Sequence, residues 1–142
     1  MKTLLENEYQ EILLHEDLGV FEERFKEASS HIFGEDYIRE VSFFGKAIVE
    51  NQSKEQPFSK LIINTLAGGP TMEPQVQQFM HEEFYPMILK AGIRHKAYCL
   101  GPEIIAKLSV ELTVDNDPRQ QFNYQFFATL EESMAWLQTI RQ

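Results

Sequence analysis

Residues 74–99 read PQVQQFMHEEFYPMILKAGIRHKAYC. Val76, Phe79, Met80, Phe84, Met87, Ile88 and Ala91 recur at steps of three and four, the spacing of one helix face. Pro74 suits a first helical position, where an amide would have no partner anyway. Pro86 falls inside the pattern, removes one backbone hydrogen bond and predicts a kink near Glu82. Gly92 ends the helix as a C-terminal cap, and residues 93–100 become a strand at once. A helix that passes through one glycine into a strand belongs to a layered α/β domain.

Working outward, residues 9–15 (YQEILLH) and 20–25 (VFEERF) flank the turn Asp17-Leu18-Gly19 and read as an antiparallel pair. Residues 1–8 read as a frayed tail or a short helix. Residues 35–51 carry Ile38, Val41, Phe44, Gly45 and Ile48 at helical spacing. Residues 59–64 (SKLIIN) hold a continuous apolar run, the mark of a strand covered on both faces. The long loop TLAGGPTME follows at 65–73.

Beyond the opening stretch, a helix is predicted from about residue 103 to 112, a loop at 115–119 and a strand at 121–128. A last helix starts at Thr129, where Thr129-Leu130-Glu131-Glu132 fits a capping box, and buries Leu130, Met134, Leu137 and Ile140. The order β-β-α-β-α-β-α-β-α implies a mixed, mainly parallel central sheet of about five strands with helices on its faces. No composition shift marks a second domain, so residues 1–142 read as one unit.

This order resembles the STAS-like superfamily, the fold of bacterial anti-sigma-factor antagonists. It is more closely similar to small stand-alone bacterial STAS-like or lipid-transfer-related proteins of unknown function. The residues that carry the resemblance are Glu83-Phe84-Tyr85-Pro86 with Ala91-Gly92, then residues 106–111 (AKLSVE), then Phe126-Phe127 and residues 130–137 (LEESMAWL). It spans roughly residues 9–137. The resemblance implies a regulatory protein-interaction module. Antagonists of the superfamily carry a phosphorylatable Ser in an Asp-Ser-Ser/Thr-Gly-like turn after a central strand. Here that turn reads Asn64-Thr65-Leu66-Ala67-Gly68-Gly69-Pro70-Thr71, without the motif, which leaves Thr65 and Thr71 as the candidate phosphorylation sites.

The net charge of -9 argues against sequence-independent nucleic-acid binding and against adhesion to anionic lipid. Cys99 is the one cysteine, so no internal disulfide is available. The first ten residues lack the apolar core of a secretion signal, and no apolar run approaches the ~20 residues of a membrane helix. The cytoplasm is the expected compartment.

Candidate chemistry gathers at the 65–73 loop. It lies at the C-terminal end of a buried strand and before a helix N-terminus, where α/β sheets tend to bind ligands. Thr65, Gly68, Gly69 and Thr71 are the candidate ligand- or partner-binding residues, Gly68 and Gly69 because they permit close backbone approach. The plainer alternative is a connection that needs glycine only for its turns. His81-Glu82-Glu83-Phe84-Tyr85 has Tyr85 where a zinc-protease helix needs a second His, so no metal site is expected.

Arg94-His95-Lys96 is the only dense basic cluster and reads as a solvated strand start; Cys99 reads as a buried, inert thiol. The adjacent pairs Glu22-Glu23, Glu82-Glu83 and Glu131-Glu132 read as solvated surface. Abundant aromatics suggest either a filled core, a dimer face or an apolar pocket, with Phe84, Tyr85 and Pro86 as the pocket candidates. No nucleophile, base and orienter converge.

The sequence therefore favours a non-enzymatic module, without cofactor, that binds a protein partner or itself as a homodimer. The alternative is a small apolar or anionic ligand held between the 74–91 helix and the sheet.

Overall fold

A computed structural model describes residues 1–101 and 121–141. The helix expected at 103–112 and the loop expected at 115–119 lie outside the described residues. Six strands form one sheet in the order of the chain: β1 (Lys2–Glu6), β2 (Gln10–His15), β3 (Val20–Phe25), β4 (Lys60–Asn64), β5 (His95–Cys99) and β6 (Asn123–Phe127). The first three pair antiparallel and the rest pair parallel. The sheet is thus mixed and mostly parallel, with one strand more than expected.

The extra strand corrects the reading of residues 1–8. Residues 2–6 are not a tail; they pair with β2, Lys2 opposite Leu14 and Glu6 opposite Glu11. The five residues KTLLE are too few to show a period, and the register shifts between Thr3 and Leu5. Such a break in alternation hides a strand from pattern reading.

One face of the sheet is covered by α1 (Gly34–Glu50), α2 (Pro74–Phe79) and α3 (Tyr85–Ala91). Phe21, Phe25, Leu61, Val41, Phe44, Ile48, Phe84 and Ile88 form a single buried cluster there. The other face packs on α4 (Leu130–Gln138) through Val20, Ile62, Ala97, Cys99 and Leu137. Because both faces are covered, the central strands have no solvated side.

The disturbance expected near Glu82 takes the form of a π-helical turn, Met80–Phe84, between α2 and α3. Pro86 has no amide to donate, and the residue before it, Tyr85, bonds back five places to the Met80 carbonyl. Gly92, at φ 114°, closes α3, and the Ile93 amide reaches the Ile88 carbonyl at 2.9 Å. The Thr129 hydroxyl accepts the Glu132 amide at 3.1 Å and donates to the Glu132 carboxylate at 3.0 Å. The capping box therefore closes through the hydroxyl.

Candidate functional site

Strands β3 to β6 run in one direction, so Phe25, Asn64, Cys99 and Phe127 end at a common edge. Two described loops meet on it. One is residues 26–33, with a 3₁₀ turn at Glu27–His31; the other is residues 65–73. The Thr71 amide donates to the Ile32 carbonyl at 3.3 Å and ties them together.

Both candidate glycines are used up inside this junction. Gly68 sits at φ 151°, and a Cβ there would lie 2.5 Å from the Ser30 Oγ and 3.3 Å from the Glu27 Cα. A Cβ on Gly69 would lie 3.1 Å from the Thr65 Cγ2. Gly68 makes its close approach to the neighbouring loop, and Gly69 makes its own to Thr65 within the same loop.

Thr65 is partly buried and pinned: its amide and its hydroxyl both donate to the Cys99 carbonyl, at 3.0 and 3.1 Å. Thr71 is exposed. The two candidate phosphoacceptors thus differ in solvent access. Helix α2 has only six residues and carries Glu73 at its N-cap, which disfavours an anion there.

The two loops also expose apolar side chains. Phe33 is 62% exposed, Leu66 45% and Met72 43%. Isolated exposed apolar residues are ordinary, but these three all stand on one pair of joined loops.

Phe84 and Tyr85 do not gather round a shared opening with Pro86. Phe84 and Tyr85 are buried, Phe84 against Phe44 and Tyr85 against Phe122, whereas Pro86 is exposed on the outer side of the helix. Helix geometry places consecutive residues about 100° apart, so all three cannot line one wall.

The reading of Glu22-Glu23 as solvated surface is overturned: both are buried. Adjacent residues of a strand point to opposite faces, and here each face has a layer on it. Glu22 faces α4's side. His15 Nε2 lies 2.8 Å from its carboxylate, Arg24 donates twice at 2.7 and 2.9 Å, and Asn64 donates at 3.0 Å. Burial pushes the Glu22 pKa up; these hydrogen bonds and the Arg24 charge outweigh it and hold it at about 2.

Glu23 faces α1. One of its oxygens is buried without a hydrogen-bond partner. Burial, and then the nearby Glu40 charge, push its pKa well above the usual carboxylate value, with Lys96 acting weakly against them. Glu40 is itself buried and accepts from Asn7 at 2.7 Å and Gln10 at 3.0 Å.

Lys96 also departs from expectation. It is 1% exposed, and its ammonium lies 4.1 Å from the Tyr85 ring centre and 4.4 Å from that of Phe122. Those rings attract the charge and cover it. Arg94 is exposed and His95 partly buried, so the basic cluster divides between surface and core.

Cys99 is fully buried, with its sulfur 2.7 Å from the Ser133 hydroxyl. Burial raises the thiol pKa, and the Ser133 bond opposes it. A thiol held protonated is a poor nucleophile. Among the described residues, no three His, Cys, Asp or Glu side chains group to hold a metal ion, and no helix is long and apolar enough to cross a membrane.

The sequence missed the exposure of Phe33, Leu66 and Met72 and the buried charges. Phe33 had a signal, a large apolar residue stranded just ahead of an acidic helix start. The buried charges had one too: VFEERF is a strand in a chain whose helices cover both faces. Comparison with protein-family models, with curated proteins and with solved structures returns no match.

Proposed function

We propose that this chain is a non-enzymatic, STAS-like interaction module that recognises a protein partner through the joined loops at the C-terminal edge of its sheet. The observation that carries this reading is the exposure of Phe33, Leu66 and Met72 on two loops fastened together by the Thr71–Ile32 bond and the Gly68 contact. Exposed apolar side chains on a braced backbone form an anchor surface that does not need ordering on binding. The buried charged groups favour the same conclusion. The Glu22 carboxylate is engaged by three neighbouring side chains, and the Cys99 thiol is shielded. Regulation acts through Thr71, an exposed residue next to Met72, in preference to Thr65, whose hydroxyl is already bonded. A phosphate there would add a charge of about -2 beside the apolar anchors.

A photo-crosslinking residue placed at Leu66 in the native host, with a control at exposed Val49, tests the reading. The expected result is one crosslinked protein from position 66 and not from 49. That protein, once purified, should bind the Leu66→Ser variant at least ~10-fold more weakly than the parent. Crosslinking to a second copy of this chain alone would make the surface a homodimer face. Equal capture from both positions, or capture of lipids and small molecules only, would sink the reading.

A further inference from the structure

At the edge opposite the joined loops, β4, β5 and β6 begin in register: Lys60 stands beside His95, and His95 beside Asn123. In-register residues of parallel strands point to one face. Here it is the face under α4, because Ile62 and Ala97, two places on from Lys60 and His95, pack in its cluster. Three polar side chains therefore stand in a row at the rim of that layer.

Lys60 is the anomaly in the row. It opens a strand flanked by β3 and β5 and is only 8% exposed. Among the described residues no carboxylate pairs with it, in a chain that holds 22 Asp and Glu against 13 Lys and Arg. A lysine buried this far ordinarily has a partner. Unlike the orphaned oxygens of Glu23 and Ser59, its ammonium reaches solvent. The buried stem thus holds a charge at a fixed place and leaves its donors free.

Its neighbours match it. The Asn123 amide donates to His95 Nδ1 at 3.2 Å, which leaves the ring proton on Nε2 and one Asn123 N–H unspent. Burial, then the Lys60 and Arg94 charges, lower the His95 pKa, so the ring is a neutral donor at pH 7. Arg94 donates to the Leu89 and Ile93 carbonyls at 2.7 and 2.8 Å and keeps its charge beside the row. Lys96, next along β5, faces the other layer and takes no part.

We infer that this row binds a phosphate group, free or carried on a small molecule, through Lys60 Nζ, His95 Nε2 and the spare Asn123 N–H. The donors come from adjacent strands ~4.8 Å apart, a spacing that a tetrahedral anion bridges with a separate oxygen for each. A carboxylate has only two oxygens for three donors. The inference is independent of the interaction surface proposed above, which lies at the other end of the strands.

The test is a titration of the full chain with inorganic phosphate at constant ionic strength, read from the histidine ring signals in NMR spectra. The expected result is a saturable shift of the His95 signals, with those of His15, His31 and His81 unmoved, and a rise of the His95 pKa as phosphate binds. Lys60→Gln should weaken binding at least ~10-fold, with a thermal melt matching the parent. Asn123→Asp, at an exposed position, puts a carboxylate in the row and should abolish the shift; it serves should Lys60→Gln unfold. Methyl phosphate binding more tightly than inorganic phosphate would place the group on a small molecule. Equal or weaker binding would make free phosphate the ligand, and either order supports the site. No saturable His95 shift, an equal shift with chloride, or one that both substitutions leave unchanged would overturn the inference.

Discussion

Glu22 and Glu23 are consecutive residues of β3, both closed off from water, yet they face opposite layers of the molecule and ionise in opposite senses. The difference lies in donors. Glu22 meets a guanidinium, an imidazole and an amide. Glu23 meets another carboxylate and keeps one oxygen unpaired.

The Glu22 side predicts acid sensitivity. Its folded pKa, about 2, lies below the ordinary 4.5, so its contribution is complete above 4.5 and is lost as pH falls toward 2. The size is roughly 3 kcal/mol by linkage. Arg24→Met leaves the carboxylate buried without its main partner and should cost about 3 kcal/mol at pH 7. Urea denaturation of this variant reads the effect directly. A loss below about 1 kcal/mol would mean that the network does not hold the charge.

The Glu23 side predicts the reverse. Its folded pKa lies above 4.5, so the folded state must keep a proton that the unfolded chain releases. Stability should fall as pH rises from 4.5 through the folded pKa, and then level off. Glu23→Gln keeps the shape of the protonated acid and removes this dependence. The variant should gain on the parent as pH rises, measured as paired melts at pH 5 and 8. A difference equal at both values would show that Glu23 is ionised when folded.

Gly68→Ala tests the junction of the two loops. The new Cβ meets the Ser30 side chain and the Glu27 backbone, and φ 151° is unfavourable for any residue with a side chain. About 1–3 kcal/mol of local strain is expected, with faster hydrogen exchange at the Thr71 amide and little change in β2 or β3. Unchanged exchange at Thr71 would mean that the loops are held by something else.

Cys99 should stay silent toward a thiol reagent until the protein opens. Its labelling rate in the native state should follow unfolding, and rise about as far as denaturant raises the unfolded fraction. Fast labelling without denaturant would contradict its burial beneath α4.

The layered fold was legible because its signals are local. The period of α1, the Pro74 start, the Gly92 stop and the Thr129 cap each lie within a few residues of sequence. The first strand was not legible: KTLLE carries no period, and pairing with β2 alone makes it a strand. The buried charges were misread for a related reason. Whether Glu23 or Lys96 meets water depends on layers contributed by α1, Tyr85 and Phe122, far away in the chain. At the candidate site, the loop at 65–73 was legible as irregular chain between strand and helix. Its partner loop was not, since the Thr71–Ile32 bond and the close approach of Gly68 to Ser30 and Glu27, both distant in the chain, bring residues 26–33 beside it.

The strand order has a consequence for how the protein is made. Each strand lies beside the one preceding it in the chain, from β1 to β6. No strand has to be inserted between two already paired. A nascent chain leaving the ribosome therefore meets its docking edge already built, and the sheet can lengthen by one rung at a time in the order of translation.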